Sequence, residues 1–201
     1  MQALLALVMV PLMLLNALGG VASGIWLVVL GEWWALGYGL IGLVSHFLLG
    51  LILAPGLIFL APAGVLLSKQ KSFFAFPLLL LGYAYTCAVL TTWCIFVFYA
   101  FMTRADADTF WPLLIWSYVV ALAPWQYMAQ KDEQAGAGDA STMTTFFAQV
   151  AYIIMAMVLV FSRSTLAELA VIFGAVMLLG MFIQTGVGLA LWREQKRLGA
   201  L

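Results

Sequence analysis

Long apolar runs broken by short polar gaps organise this chain. The runs cover about residues 4–30, 34–60, 73–101, 110–127, 142–161 and 166–192. Each comes close to or exceeds the roughly 20 residues a helix needs to cross the hydrocarbon core of a bilayer. Backbone N–H and C=O groups find no water there, so a run of this kind must satisfy them within a helix. The pattern predicts an all-α polytopic integral membrane protein. It would be a six-transmembrane-helix bundle, built as one transmembrane domain over residues 1–201.

Glycine and proline punctuate the runs. The first holds Pro11 and a Gly20-Val-Ala-Ser-Gly24 motif, a small-residue face that lets another helix approach closely. An apolar stretch followed by small residues also fits a signal peptide, but no Lys or Arg precedes it and the apolar pattern continues to Leu30. The second run stays apolar to Leu67, roughly 50 Å as one straight helix. Pro55-Gly56 and Pro62-Ala-Gly64 interrupt it. A span to about Leu60, kinked near Pro55, is expected, followed by a short interfacial piece. For residues 55–67 a kinked continuation and a re-entrant segment are the alternatives. Pro112 falls in a first helical turn, where proline is tolerated, and Pro124 should bend or stop its run. Residues 130–141 form the one clearly solvated loop of the pattern.

Composition fits the same class. The chain is 66% hydrophobic and 8% charged, against about 45–50% and 25% in soluble domains. Eight acids balance eight bases, so net charge points to no nucleic-acid partner. Lys69, Lys71, Lys131, Arg193, Lys196 and Arg197 fall on one side of the alternating gaps, and Arg104 and Arg163 on the other. The positive-inside rule then places both termini in the cytoplasm. Trp33, Trp34, Phe110 and Trp111 would mark the outer interface, and Trp125, Tyr127 and Trp192 the inner one. Short loops in a compact chain suggest a bacterial inner membrane. The expected partners are the lipid bilayer and either other membrane subunits or further copies of this chain.

Candidate chemistry is sparse. His46, the single histidine, sits 12 residues into its run, about 18 Å deep. An ionisable residue at that depth marks a candidate site. Asn16 and Gln184 also fall at middle depth, giving a possible polar site of His46, Asn16 and Gln184. Ser23, Thr86, Thr91, Thr92, Ser117, Gln149, Tyr152 and Thr185 are further neutral polar groups, expected to hydrogen-bond between helices. Thr165-Leu-Ala-Glu168 has the spacing of a capping box, with Arg163 as a neighbouring charge on the outer face. Ala170 and Gly174 form a second small-residue pair for helix packing. Cys87 and Cys94 share a helix face about 10.5 Å apart along the axis, too far for a disulfide. One histidine cannot build a zinc or bis-histidine haem site, so no metal or other cofactor is expected.

No Asp, Glu, Lys or Arg lies in the middle of a run, and no nucleophile elbow, HExxH, P-loop or CxxC occurs. Catalysis therefore has no support in the sequence. The first functional expectation is a non-catalytic membrane component, an accessory subunit or an assembly or structural partner. The second is a small transporter or channel for a neutral or lipidic solute. The third is a membrane redox protein with His46 as a haem ligand. Topology reporters test the orientation. A cytoplasmic reporter fused after Lys71 or Lys131 should be active and one fused after Arg104 silent; activity after Arg104 contradicts the assignment.

Overall fold

The structure, a computed structural model, describes residues 2–69, 71–134, 139–162 and 165–197. It is 91% helical, with no strand among the described residues. The helices are α1 (Gln2–Val29), α2 (Trp33–Leu53), α3 (Leu57–Ser68), α4 (Ser72–Met102), α5 (Phe110–Gln134), α6 (Asp139–Phe161) and α7 (Leu166–Arg197), with a single 3-10 turn at Ala54–Gly56. Among the described residues, four stretches are long and apolar enough to cross a membrane: Trp33–Leu67, Phe73–Met102, Met143–Phe161 and Leu166–Gly186. Asn16–Val29 is a shorter apolar helix.

Two boundaries differ from the sequence pattern. Pro124 does not end its helix; α5 runs through it to Gln134. The proline removes only the bond to the Val120 carbonyl, and a helix among neighbouring helices tolerates that loss. The solvated loop accordingly shrinks, because α5 takes residues 130–134 and α6 begins at Asp139. The other difference lies beyond Pro55: the 3-10 turn stands where a kink is expected, but α3 follows at once and runs past Leu60 to Ser68.

The question of residues 55–67 is settled by α4. Trp34 stacks on Phe101 with ring centroids 6.0 Å apart. His46 meets Trp93 at 4.9 Å, and the Tyr85 hydroxyl donates to the Ile52 carbonyl at 2.6 Å. A Cβ on Gly82 would lie 2.5 Å from Leu60 Cδ2 and 3.5 Å from the Gly56 carbonyl oxygen. Partners on α4 thus step steadily back as α2 and α3 advance. The chain keeps its direction past Pro55, as a kinked continuation antiparallel to α4, and does not fold back.

α5 packs against α1, α2, α4 and α6. Leu113, Leu114, Ser117, Tyr118, Val120, Ala121, Leu122 and Gln126 are all buried. A helix enclosed by others need not be apolar on every face, which explains the Trp, Ser, Tyr and Gln within it. The turn ahead of α5 is tied down locally. Asp106 Oδ1 accepts from the Thr109 hydroxyl at 2.6 Å and the Thr109 amide at 2.8 Å. The Thr109 hydroxyl, and then its amide, hold the Asp106 carboxyl below the usual carboxylate range. Between α1 and α2, Gly31 adopts φ +80. Its amide donates to Val28 and that of Glu32 to Leu27, the left-handed helix ending that glycine favours.

Close helix approach falls at particular glycines. Gly20 and Gly24 face Val119 and Trp116 of α5, with a Cβ at Gly20 3.2 Å and one at Gly24 3.4 Å from the nearest side-chain atom. In α7 the Ala170–Gly174 pair has room, since a Cβ on Gly174 would find only Thr91 Cγ2 at 4.0 Å. The tight approach in that helix is at Gly180, where a Cβ would sit 2.3 Å from Phe147 Cγ and 2.8 Å from its Cβ. Gly180→Val should therefore cost about 1–3 kcal/mol, read as a lower thermal midpoint in detergent. Gly37→Ala, with nothing within 4 Å, should be neutral or stabilising by up to about 1 kcal/mol. Equal midpoints for Gly180→Val and the parent protein would refute the α6–α7 packing.

Candidate functional site

His46 projects from α2 between α4 and α5. Its Nδ1 lies 2.8 Å from the Gly42 carbonyl oxygen, one turn back in the same helix. Its Nε2 lies 3.4 Å from the Ala121 carbonyl oxygen of α5. The shorter contact assigns the proton to Nδ1, which donates to Gly42. Trp93 meets the imidazole edge-on at 4.9 Å, and Trp125 does so at 6.3 Å. Both ring nitrogens face backbone carbonyls, so neither is turned outward as a metal or haem ligand would be.

Asn16 reaches the same helix from α1. Its Nδ2 donates to Gln126 Oε1. The pairing is one-sided: Asn16 Oδ1 and Gln126 Nε2 have no hydrogen-bond partner, and both residues are buried. Trp93 Nε1 and Trp125 Nε1 are likewise buried without partners. Unmet donors and acceptors are costly in a medium of low dielectric. These four atoms gather near His46, Trp125 and Gln126, while Tyr118 Oη and both amide atoms of Gln149, expected to bond between helices, are buried without partners elsewhere.

The trio of Asn16, His46 and Gln184 divides. Asn16 bonds to α5 and the His46 ring lies against it, whereas Gln184 Oε1 accepts from Thr144 of α6 at 3.1 Å. Thr165 and Glu168 form the reciprocal cap at the start of α7: the Thr165 amide donates to Glu168 Oε2 at 2.7 Å, and the Glu168 amide to Thr165 Oγ1 at 3.3 Å. Arg163 lies outside the described residues. Several hydroxyls depart from the interhelical role expected of them. Ser23, Thr86, Thr92 and Thr185 donate to carbonyls three or four residues back in their own helices. That carbonyl is always within reach of a short hydroxyl side chain, and no neighbouring helix need supply one. Ser117 does cross, pairing with the Tyr152 hydroxyl at 2.6 Å. Cys87 and Cys94 are buried free thiols.

Sequence reasoning missed Gln126, Trp93 and Trp125 as members of this cluster. Trp125 reads as an inner-interface anchor when its helix is expected to end at Pro124. With α5 continuing to Gln134, that tryptophan belongs to the interior and packs on His46. Among the described residues, no group of three or more His, Cys, Asp or Glu could hold a metal ion.

Four helices of membrane-crossing length and hydropathy, with neutral polar groups turned inward, define an all-α membrane protein. No family model, curated protein or solved structure matches the chain.

The indole N–H groups have a measurable consequence. Trp93→Phe and Trp125→Phe remove an unpartnered donor and keep most of the ring packing, so each should shift stability by less than about 1 kcal/mol. His46→Ala, which leaves a cavity and loses the Gly42 bond, should cost about 2–4 kcal/mol. Thermal unfolding in detergent reads both. A Trp93→Phe loss as large as that of His46→Ala would mean that the indole N–H is satisfied in the membrane.

Proposed function

We propose that this protein is a non-catalytic component of a bacterial inner membrane, crossing it six times with both termini in the cytoplasm. One observation carries the reading. Every charged side chain whose surroundings are described lies in a connecting turn or at a helix end, and the polar groups buried in the bundle are amides, hydroxyls, indoles and one imidazole. Acid–base catalysis and ion coupling across a membrane both rely on charged groups at depth. The arrangement of the ends supports the orientation. Lys69 and Lys71 sit at the tip of the α3–α4 hairpin beside the exposed Phe73 and Phe74. Arg104 lies at the other end of α4, its guanidinium 5.0 Å from the Trp34 ring and 4.8 Å from that of Tyr38. Its role there is to anchor an interface through cation–π contact.

A second reading, a small carrier or channel for a neutral or lipidic solute, draws on the unmet hydrogen-bonding atoms of Asn16 and Gln126. The His46 haem reading has less support, because both imidazole nitrogens face carbonyls.

Proteoliposomes distinguish the two supported readings. A non-catalytic component should pass neither protons nor ions under an imposed potential, and should leave glycerol and urea permeation at the level of empty liposomes. It should also run in mild detergent, by native mass spectrometry, as a stoichiometric complex with another membrane subunit or with itself. Accelerated permeation lost in Asn16→Leu would replace the first reading with the second. A proton or ion current would overturn both.

A further inference from the structure

The span formed by α2 and α3 changes its hydrogen bonding at Pro55. Proline has no N–H, so the Leu51 carbonyl loses its usual donor. Just before it the helix is regular, and the Ala54 amide donates to the Gly50 carbonyl. Just after it the Leu57 amide donates to Ala54, three residues back rather than four. In the same 3-10 turn Gly56 N–H turns to Leu53, which leaves the Ile52 carbonyl without its helical donor. Ile52 is exposed on the outside of the bundle, where lipid offers no replacement. The replacement comes from α4, whose Tyr85 hydroxyl donates to the Ile52 carbonyl at 2.6 Å. Two glycines bring the helices close enough for it. A Cβ on Gly56 would lie 3.3 Å from Tyr85 Cδ1, and one on Gly82 2.5 Å from Leu60 Cδ2.

The alternative bonding is close at hand. With α-helical geometry Gly56 N–H returns to the Ile52 carbonyl, and the Tyr85 hydroxyl loses its acceptor. The two arrangements exchange one donor for another at a single oxygen. They differ in what lies beyond it. A 3-10 turn advances about 120° per residue and an α-helix about 100°. Over Ala54–Gly56 that difference turns α3 by about 60° about its own axis. A side chain on the α3 surface then moves by about 5–6 Å, and Leu60 leaves Gly82. Among the described residues α3 packs on α4 and on no other helix to a comparable extent, so little else resists the turn. We propose that the Tyr85 hydroxyl is a latch on the bend at Pro55. While it holds the Ile52 carbonyl, the 3-10 turn persists and α3 presents Leu60 to Gly82. When it lets go, the turn relaxes to α geometry and α3 rotates, which gives this half of the span two settings.

Double electron–electron resonance on the full chain in phosphatidylcholine nanodiscs reads the setting of α3. Spin labels go on Gly64→Cys, in open space on α3, and on Phe182→Cys, exposed on α7. Cys87→Ala and Cys94→Ala remove the native thiols. The latched protein should give one main distance. Tyr85→Phe takes away the hydroxyl alone and keeps the ring. It should raise the ratio of turned to latched α3 by about 3–20-fold, the scale of one interhelical hydrogen bond in a membrane, seen as growth of a second distance. Pro55→Ala restores the amide that the Leu51 carbonyl lacks and favours a continuous α-helix. It should populate the same second distance, and Tyr85→Phe made in addition should change nothing further. Thr92→Val removes a hydroxyl bonded within α4 alone and should match the parent. An unchanged distribution in Tyr85→Phe would overturn the latch, whatever Pro55→Ala does. So would a second distance that Pro55→Ala does not share, or an equal shift in Thr92→Val.

Discussion

The hydrocarbon core of a bilayer offers no hydrogen bonds, and the architecture follows from that one deficiency. Every backbone amide within it must be satisfied by its own chain, which accounts for a fold that is 91% helical. The same demand falls on side chains. Ser45, Thr86, Thr92 and Thr185 meet it without leaving their helices, by donating to carbonyls three or four residues back. Other groups reach across to a neighbouring helix, and three such bonds involve α5. Asn16 bonds to Gln126, Trp116 to the Ala35 carbonyl, and Ser117 to Tyr152. α5 itself buries Ser117 and Gln126. Lipid excludes polarity from the outside of the bundle, and α5 is the helix with the least outside.

Packing and polarity are coupled along α1 and α2. Gly20 and Gly24 let α1 come close to Val119 and Trp116, and Gly39 and Gly42 do the same for α2. A Cβ at Gly39 would lie 2.7 Å from Trp116 Nε1, and one at Gly42 2.5 Å from Val120 Cγ1. Without these approaches the Asn16 amide would not reach Gln126, nor the imidazole the Ala121 carbonyl. Small residues in membrane helices allow polar contacts by removing the bulk that keeps backbones apart. A groove of about 440 Å³ beside α1 lies where Gly20 and Gly24 face Val119 and the Trp116 ring, which is held by the Ala35 carbonyl.

The helices were legible in the sequence because the apolar runs are long and each polar gap is short. The bounds of α4, α6 and α7 lie within a few residues of the runs at 73–101, 142–161 and 166–192, apart from the polar ends that α7 and α6 add. α5 was less legible. Proline reads as a stop, and Pro124 followed by Trp125 looks like the end of a span capped by an interfacial ring. Whether a proline ends a helix depends on what surrounds the freed carbonyl, which is tertiary information. The site divided along the same line. His46 and Asn16 stood out because a polar residue deep in an apolar run is conspicuous. Gln126 did not, because its depth depends on where α5 ends. Gln184 is as conspicuous as Asn16, but depth alone does not say which neighbour a side chain faces, and its bond to Thr144 lies on α6.

The central claim is that α1 and α5 are joined at depth by the Asn16–Gln126 amide pair. A double-mutant cycle measures that directly, with Asn16→Leu and Gln126→Leu made singly and together and unfolding followed in detergent or bicelles. The account predicts a coupling energy of about 0.6–1.7 kcal/mol, the scale of interhelical hydrogen bonds in membranes. Additivity to within about 0.3 kcal/mol would contradict it.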